Sequence, residues 1–488
     1  MNIIADLRYS SAVLQWDQET YLPPKGARIR GQQIATLSEL AREYFTNGDF
    51  YDLVKELSLR EELQNHQKRN VELTFYDIEK QKKLSSNFVR KLSESVNTAY
   101  HQWIQSRKDN NFRTFEASLD NLVQLKLQEA DMLGYEKHPY DALLNDFDKG
   151  STVEELDEIF SGIIPFLQKI IYKISETENI DSEFLNRKYS RQAQWELGMK
   201  VLKDMQFDFE GGRQDISEHP FTINFNSNDV RLTTRIDEND FSNMLWSCIH
   251  ELGHGLYEQG LPEDQYGLPL GEPASLSIHE SQSRLWENQI GRSKEFISHY
   301  FKIFKASFPE ALKDIKPGQF YKAINKVSPS LIRTEADEVS YHLHIFIRYE
   351  LEKKLLIKEL KTKDLPAFWN EQYNKLLNVI VPDDKRGCLQ DVHWSHGSFG
   401  YFPTYSTGSL YAAQFFHKME VEIPGLKDEI KKGNFKIILS WLRNNIHSKG
   451  RKFESGELCK LVTGEKLNHK HFQDYVVKKY STLYSLDL

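Results

Sequence analysis

Cysteine is scarce in this chain. Only Cys248, Cys388 and Cys459 occur among 488 residues. Their odd number, wide spacing and lack of any Cys-x-x-Cys argue against a disulfide framework and suit a reducing compartment. Long apolar runs are missing too. Even an apolar stretch such as 163–174 is broken by Pro165, Gln168 and Lys169, whereas a membrane-spanning helix needs about 20 apolar residues. No basic block appears. The 63 Lys and Arg are mixed among 71 Asp and Glu, for a net charge of −8, which argues against nucleic acid as a partner. No charged-then-apolar leader opens the sequence. A cytoplasmic protein with no membrane or nucleic-acid partner is therefore expected. Low-complexity segments and short repeats are also lacking.

What the chain has in quantity is helical periodicity. Stripes such as Phe88, Leu92, Val96, Ala99 and Trp103 read as core-facing helix. Residues 138–150 read as a loop, followed by a Ser151-x-x-Glu154 capping box. Residues 221–236 depart from this habit. Phe221, Ile223 and Phe225 alternate, then Val230, Leu232 and Thr234, around the turn residues 226–229. That pattern predicts a β-hairpin, the only clear sheet in the sequence.

The most specific motif follows the hairpin. His250-Glu251-Leu252-Gly253-His254 lies on an amphipathic helix predicted over 241–259, with Asp237 to Asn239 as capping residues. Two histidines four apart are separated by about 40° around the helix axis, so both can reach one ion. Glu251 flanks the same face and can take a proton from water without being a ligand. Gly253 and Gly255 cost helix stability, about 1 kcal/mol each, and point to a closely packed neighbour. A catalytic site of this kind needs a third protein ligand and an open position. A second helix predicted over 275–289 offers His279, Glu280 and Glu287, and spacing does not choose among them.

Two further stretches carry unusual chemistry. A helix is predicted from Ser328 to Glu359, with Arg333, Asp337, Tyr341 and His344 on one face. Residues 386–414 read as a glycine-rich aromatic loop with Gln390, Asp391, His393, His396, Tyr401 and Tyr405. His393 and Asp391 are candidates for orienting the ligands.

Several motifs in order resemble the carboxypeptidase Taq family of metallocarboxypeptidases. They are His219-Pro220-Phe221, Asp229-Val230-Arg231-Leu232-Thr233, His250-Glu251-Leu252-Gly253-His254, Ile278-His279-Glu280-Ser281, Ile332-Arg333-Thr334-Glu335-Ala336-Asp337 and 387–394. The resemblance runs nearly end to end. It implies a mainly α, two-lobed helical zincin of oligopeptidase type, with a deep groove and a small sheet beside the metal helix. It implies one catalytic domain over 1–488, with an N-terminal helical lobe or lid to about residue 150 and the catalytic lobe beyond. It implies Glu280 as third ligand of Zn²⁺ or Co²⁺, Glu251 as general base, and His396, Tyr401 and Tyr405 on a loop facing the scissile carbonyl. It also implies homodimers acting on peptides, with release of single C-terminal amino acids at broad specificity.

An exopeptidase must recognise a free carboxylate, and the two-pronged guanidinium does so best. Arg333 is the first choice; Arg231 and Arg386 are alternatives, Arg231 also fitting a structural ion pair. The competing readings are an oligopeptidase on the same scaffold and a catalytically silent metal-binding protein. Intact Glu251 argues against the second.

Overall fold

The computed structural model describes residues 1–487. It is mainly α-helical with one three-stranded sheet, and the chain folds into two compact units. Each unit interleaves three stretches of chain, so the division does not follow a single cut near residue 150. The first comprises Met1–Gln81, Ile180–Ile324 and Tyr411–Lys466. The second comprises Lys82–Asn179, Asn325–Leu410 and Leu467–Leu488, of which the described part ends at residue 487.

The sheet lies in the first unit. The expected hairpin is present as β2 (Thr222–Asn226) and β3 (Asp229–Thr234). A further strand, β1 (Gly212–Ile216), pairs parallel with β3, which makes β3 central and β2 an edge. The polar sequence of β1 hides it, since Gln214 and Asp215 are buried without apolar alternation. Against the sheet packs the metal helix, Phe241–Glu258. Its N-cap is Asp240, one residue beyond the expected caps, whose Oδ1 accepts from the amides of Ser242 and Asn243 at 2.8 and 3.3 Å. Phe241 anchors the helix start. Its ring centroid lies 5.2–5.6 Å from those of Tyr189, Phe304, Phe308 and Phe320.

The ligand helix, Leu276–Arg284, starts at an N-cap Ser275 and continues as a π-helical segment, Leu285–Gly291. Such segments are rare and recur at functional sites.

In the second unit four expectations change. Residues 139–144 are helical, because Pro139 occupies the first turn and His138 and Asp141 cap it reciprocally. The next helix, Val153–Ser175, is capped by Thr152 rather than Ser151. The helix expected from Ser328 begins only at Tyr341. Asp337 captures the amides of Val339 and Ser340 at 2.9 Å each, so the helix starts after it, and Arg333 sits in a single 3₁₀ turn. Likewise 386–414 is only partly loop, since a helix runs from Pro403 to Glu422 and carries Tyr405.

Candidate metal centre

Glycine determines how near the partners of the metal helix approach. A Cβ on Gly253 would fall 2.5 Å from Ser283 Cα, so the ligand helix meets the metal helix backbone to backbone. A Cβ on Gly255 would fall 2.7 Å from Leu232 Cδ2 of β3. The close neighbours expected from these glycines are therefore Glu280's own helix and the sheet.

That contact brings three donor atoms together. His250 Nε2 lies 3.8 Å and His254 Nε2 3.5 Å from Glu280 Oε2, and the three ligand atoms lie within 4.8 Å of one another. Donors around tetrahedral zinc stand about 3.4 Å apart. Both rings are free to offer Nε2 because each Nδ1 is already engaged. His250 Nδ1 is 2.9 Å from Glu287 Oε2, and His254 Nδ1 is 2.5 Å from His279 Nδ1. Glu280 Oε1 accepts from Arg284 Nε at 2.7 Å, which leaves Oε2 for an ion. Two imidazoles and one carboxylate with an open position fit a catalytic zinc site. Of the two carboxylates seven residues apart, Glu280 joins the donor set with the two imidazoles, and Glu287 pairs with His250 Nδ1.

At Glu280 and His254 the charges agree with that assignment, while at His250 burial is outweighed by the Glu280 and Glu287 carboxylates, which raise the pKa. Burial opposes ionisation of Glu280, but Arg284 and the two imidazoles outweigh it and hold the carboxyl well below its usual range. Burial pushes His254 down to about 3, with His279 adding to the effect, so the ring is in the neutral form that ligates. Glu251 is 8% exposed, and burial raises its pKa against the opposing influence of His250 and Thr222. Thr222 Oγ1 on β2 donates to Glu251 Oε2 at 2.6 Å. A buried carboxylate held by one hydroxyl and raised in pKa suits a general base.

The second unit contains the other expected residues except Arg231, which lies on β3 in the first. Arg333 and Arg348 both end on Asp391. Arg333 Nε and its second terminal nitrogen lie 2.9 and 2.8 Å from Oδ1, while Arg348 Nε is 2.7 Å from Oδ2. Gln390 Oε1 accepts from the Arg333 amide and from Arg348. Asp391 therefore serves arginines rather than metal ligands, and its carboxyl is held low by them against its burial. Burial, with both arginines beside them, pushes His393 down to about 3 and His344 well below its usual range. Two cations, one anion and neutral imidazoles leave a surplus positive charge in this cluster.

The remaining candidates differ in how they are held. The histidine bonded to Tyr405 is His393, whose Nε2 is 3.1 Å from the hydroxyl. His396 is exposed and packs its ring 5.1 Å from that of Tyr100. Tyr401 lies 5.2 Å from Tyr405, ring to ring. Arg231 is paired with Asp229 at 2.9 Å and stacks 4.3 Å over Trp16, which is the structural alternative. Arg386 is exposed and paired with Asp383 at 2.6 Å. Sequence reasoning missed Thr222, Asn224, Glu258 and the role of His447, whose Nε2 is 3.0 Å from Gln282 of the ligand helix. Only Glu258 carried a local signal, four residues beyond His254 on the same helix.

A buried glutamate next to an imidazole pair, with a carboxylate completing the donor set, places the chain among the metallopeptidases. Comparison with known proteins narrows the class. The sequence profile of the carboxypeptidase Taq (M32) metallopeptidases matches residues 1–480. Carboxypeptidase 1 of Bacillus subtilis is 37% identical over 482 residues, which is 98% of this chain and 96% of that protein. The crystal structure of the M32 carboxypeptidase from Deinococcus radiodurans superposes with a TM-score of 0.97 at 36% identity, covering 99% of this chain and 97% of the other. A solved structure described as "The Structure of CHT" is 54% identical, with a TM-score of 0.97 and coverage of 98% and 97%. The chain belongs to the carboxypeptidase Taq (M32) family, and it is a metallocarboxypeptidase.

Proposed function

We propose that this enzyme uses Zn²⁺, with Co²⁺ as a competent substitute, to release single residues of broad side-chain type from free peptide C-termini. His250, His254 and Glu280 would hold the ion, which supplies Lewis acidity. Glu251 accepts a proton from the attacking water and returns it to the leaving amine. Thr222 keeps the Glu251 carboxylate aimed. Tyr405 and His396 are the proposed donors to the developing oxyanion, a role worth about 3–4 kcal/mol per donor. Tyr401 is proposed as a wall for the substrate.

One observation supports the exopeptidase reading above an oligopeptidase: the surplus positive charge at Arg333, Arg348 and Asp391. A substrate carboxylate neutralises it, and Arg333 is the proposed contact. Arg231 and Arg386 already have carboxylate partners in Asp229 and Asp383.

Mass spectrometry of zinc-loaded enzyme with a short peptide, run beside its C-terminal amide, tests this. Stepwise shortening of the free acid only is expected. Internal cleavage of both peptides would make the enzyme an oligopeptidase. Glu251→Gln should retain zinc and lose turnover; equal turnover by the variant sinks the general-base role.

A cytoplasmic homodimer is the proposed working form. Three free, buried cysteines are compatible with a reducing compartment. No helix among the described residues is long and apolar enough to cross a membrane. Light scattering coupled to size-exclusion chromatography tests the dimer, and a mass near 57.2 kDa would refute it.

A further inference from the structure

The two metal-binding imidazoles are held by different devices. His250 gives its Nδ1 directly to a carboxylate, Glu287. His254 gives its Nδ1 to another imidazole, His279, at 2.5 Å. His279 Nε2 then lies 2.7 Å from Glu258 Oε1, and Glu258 Oε2 accepts from Asn224 Nδ2 at 2.7 Å. These four side chains form an unbroken chain from the metal helix, through the ligand helix and back, to the edge strand β2. Glu258 is 5% exposed, and the His279 ring lies 5.3 Å from that of Tyr257, which limits its rotation.

The polarity of this chain has one assignment compatible with ligation. A carboxylate only accepts, so the proton between Glu258 and His279 belongs to His279 Nε2. A neutral imidazole has one donor and one acceptor, which makes His279 Nδ1 the acceptor. The proton between the two rings therefore belongs to His254 Nδ1, and the lone pair of His254 lies on Nε2, facing Glu280. The opposite polarity would put a proton on His254 Nε2 and close that position to a metal. His279 has both nitrogens engaged, which excludes it as a ligand.

Resting on the metal-site reading above, we propose that His279 and Glu258 are positioning residues that lock His254 in its Nδ1–H tautomer, with Asn224 fixing Glu258. A carboxylate acting through an intervening imidazole orients the ligand while keeping its negative charge one ring further from the ion than Glu287 does at His250. Asn224 sits two residues beyond Thr222, and Glu258 seven beyond Glu251. One face of β2 thus holds both the base and the relay on one face of the helix.

The test is zinc affinity of the full chain, measured by competition with a chelating indicator on metal-free protein, beside the thermal midpoint of the metal-free form. His279→Ala and Glu258→Ala should each weaken zinc by roughly 10–100-fold, the range for partners of ligating histidines. The double variant should be no weaker than the worse single one, because the links act in series. His279→Gln keeps an acceptor for His254 and a donor for Glu258, and Glu258→Gln keeps an acceptor for His279; both should recover most of the affinity. The visible spectrum of the cobalt-loaded alanine variants should shift from that of the wild type. Should either alanine variant fail to fold, Asn224→Ala removes the outermost link and should weaken zinc in the same direction. Lowered metal-free midpoints with unchanged zinc affinity would overturn the relay, as would fully additive losses in the double variant. Failure of the wild type to bind zinc would instead overturn the metal-site reading.

Discussion

Thr222 Oγ1 lies 2.6 Å from Glu251 Oε2 and 3.0 Å from the Glu251 carbonyl oxygen. One hydroxyl proton serves one of these at a time, and the shorter contact is to the carboxylate. A hydrogen bond to a charged group contributes about 1.5–3 kcal/mol, and here it favours the ionised, basic form of Glu251. Thr222→Val keeps the shape and removes the donor. The Glu251 pKa should then rise further, which moves the acid limb of the pH–rate profile for kcat/KM upward. Activity should fall most at acid pH and recover toward alkaline pH. An acid limb that does not move would assign the hydroxyl to the carbonyl instead.

Gly253 offers a second test, because its pro-side-chain position faces backbone rather than a flexible side chain. A methyl group there would meet Ser283 Cα at 2.5 Å and Gln282 O at 2.6 Å. The ligand helix must shift to relieve this, and Glu280 moves with it. Gly253→Ala gains helix propensity, about 1 kcal/mol, but overpacking costs about 1–3 kcal/mol or more. Net destabilisation is expected in a urea melt, with a loss of zinc affinity greater than the loss of stability predicts. Gly255→Ala meets the Leu232 side chain, which can give way, so its effect on zinc should be smaller.

Asp391 is the only carboxylate that ion-pairs with Arg333 and Arg348 among the described residues. Asp391→Asn leaves two buried guanidiniums facing an amide, and breaking a buried pair costs about 3–5 kcal/mol. The pH dependence has a definite sign. The Asp391 carboxyl is depressed in the fold, so its stabilisation is complete above the unfolded value of about 3.9 and decays as pH falls through the folded value. The stability gap between wild type and variant, read from denaturant midpoints, should be widest near neutral pH and close only in strong acid. A constant gap across pH 2–7, on the order of the range where linkage acts, would refute this origin.

These sites show what was legible in the chain and what was not. His250, Glu251 and His254 could be placed from spacing because helical geometry is local. Glu258 is just as local, but its role depends on Asn224 from a strand and His279 from another helix, which no periodicity encodes. The ligand helix was expected over 275–289, yet spacing left Glu280 and Glu287 equivalent. Arg284 and Arg292 separate them, since both guanidiniums reach Glu287 while Arg284 Nε holds Glu280. The helix expected from Ser328 carried good local signals at Ser328 and Pro329. Asp337 overrode them by capturing backbone amides nearer to Tyr341. Strand β1 gave no signal, because its buried side chains, Gln214 and Asp215, are polar and its partner strand β3 is distant in sequence.

Glu352 gives a pH dependence of the opposite sign to Asp391. It is fully buried and accepts from Trp394 Nε1 at 2.8 Å, from the Gly400 amide at 2.9 Å, and from the Tyr140 hydroxyl. It thereby ties down the segment that carries His396. Burial pushes its pKa up to about 7, although the three donors and Lys126 pull the other way. Between the unfolded value of about 4.3 and the folded one, the native protein holds a proton that the unfolded chain has released. Stability should therefore fall with rising pH across that window, by roughly 4 kcal/mol at most, and level off above it. Glu352→Gln removes the titration; its single oxygen can accept from Gly400 and Tyr140, while its NH2 faces the Trp394 N–H, so the variant loses that one hydrogen bond at every pH. The variant's denaturant midpoint should stay flatter than the wild type's from about pH 5 to pH 7, so that its relative stability improves as pH rises. Parallel midpoints over that range would show that the three hydrogen bonds, rather than burial, set the charge on Glu352.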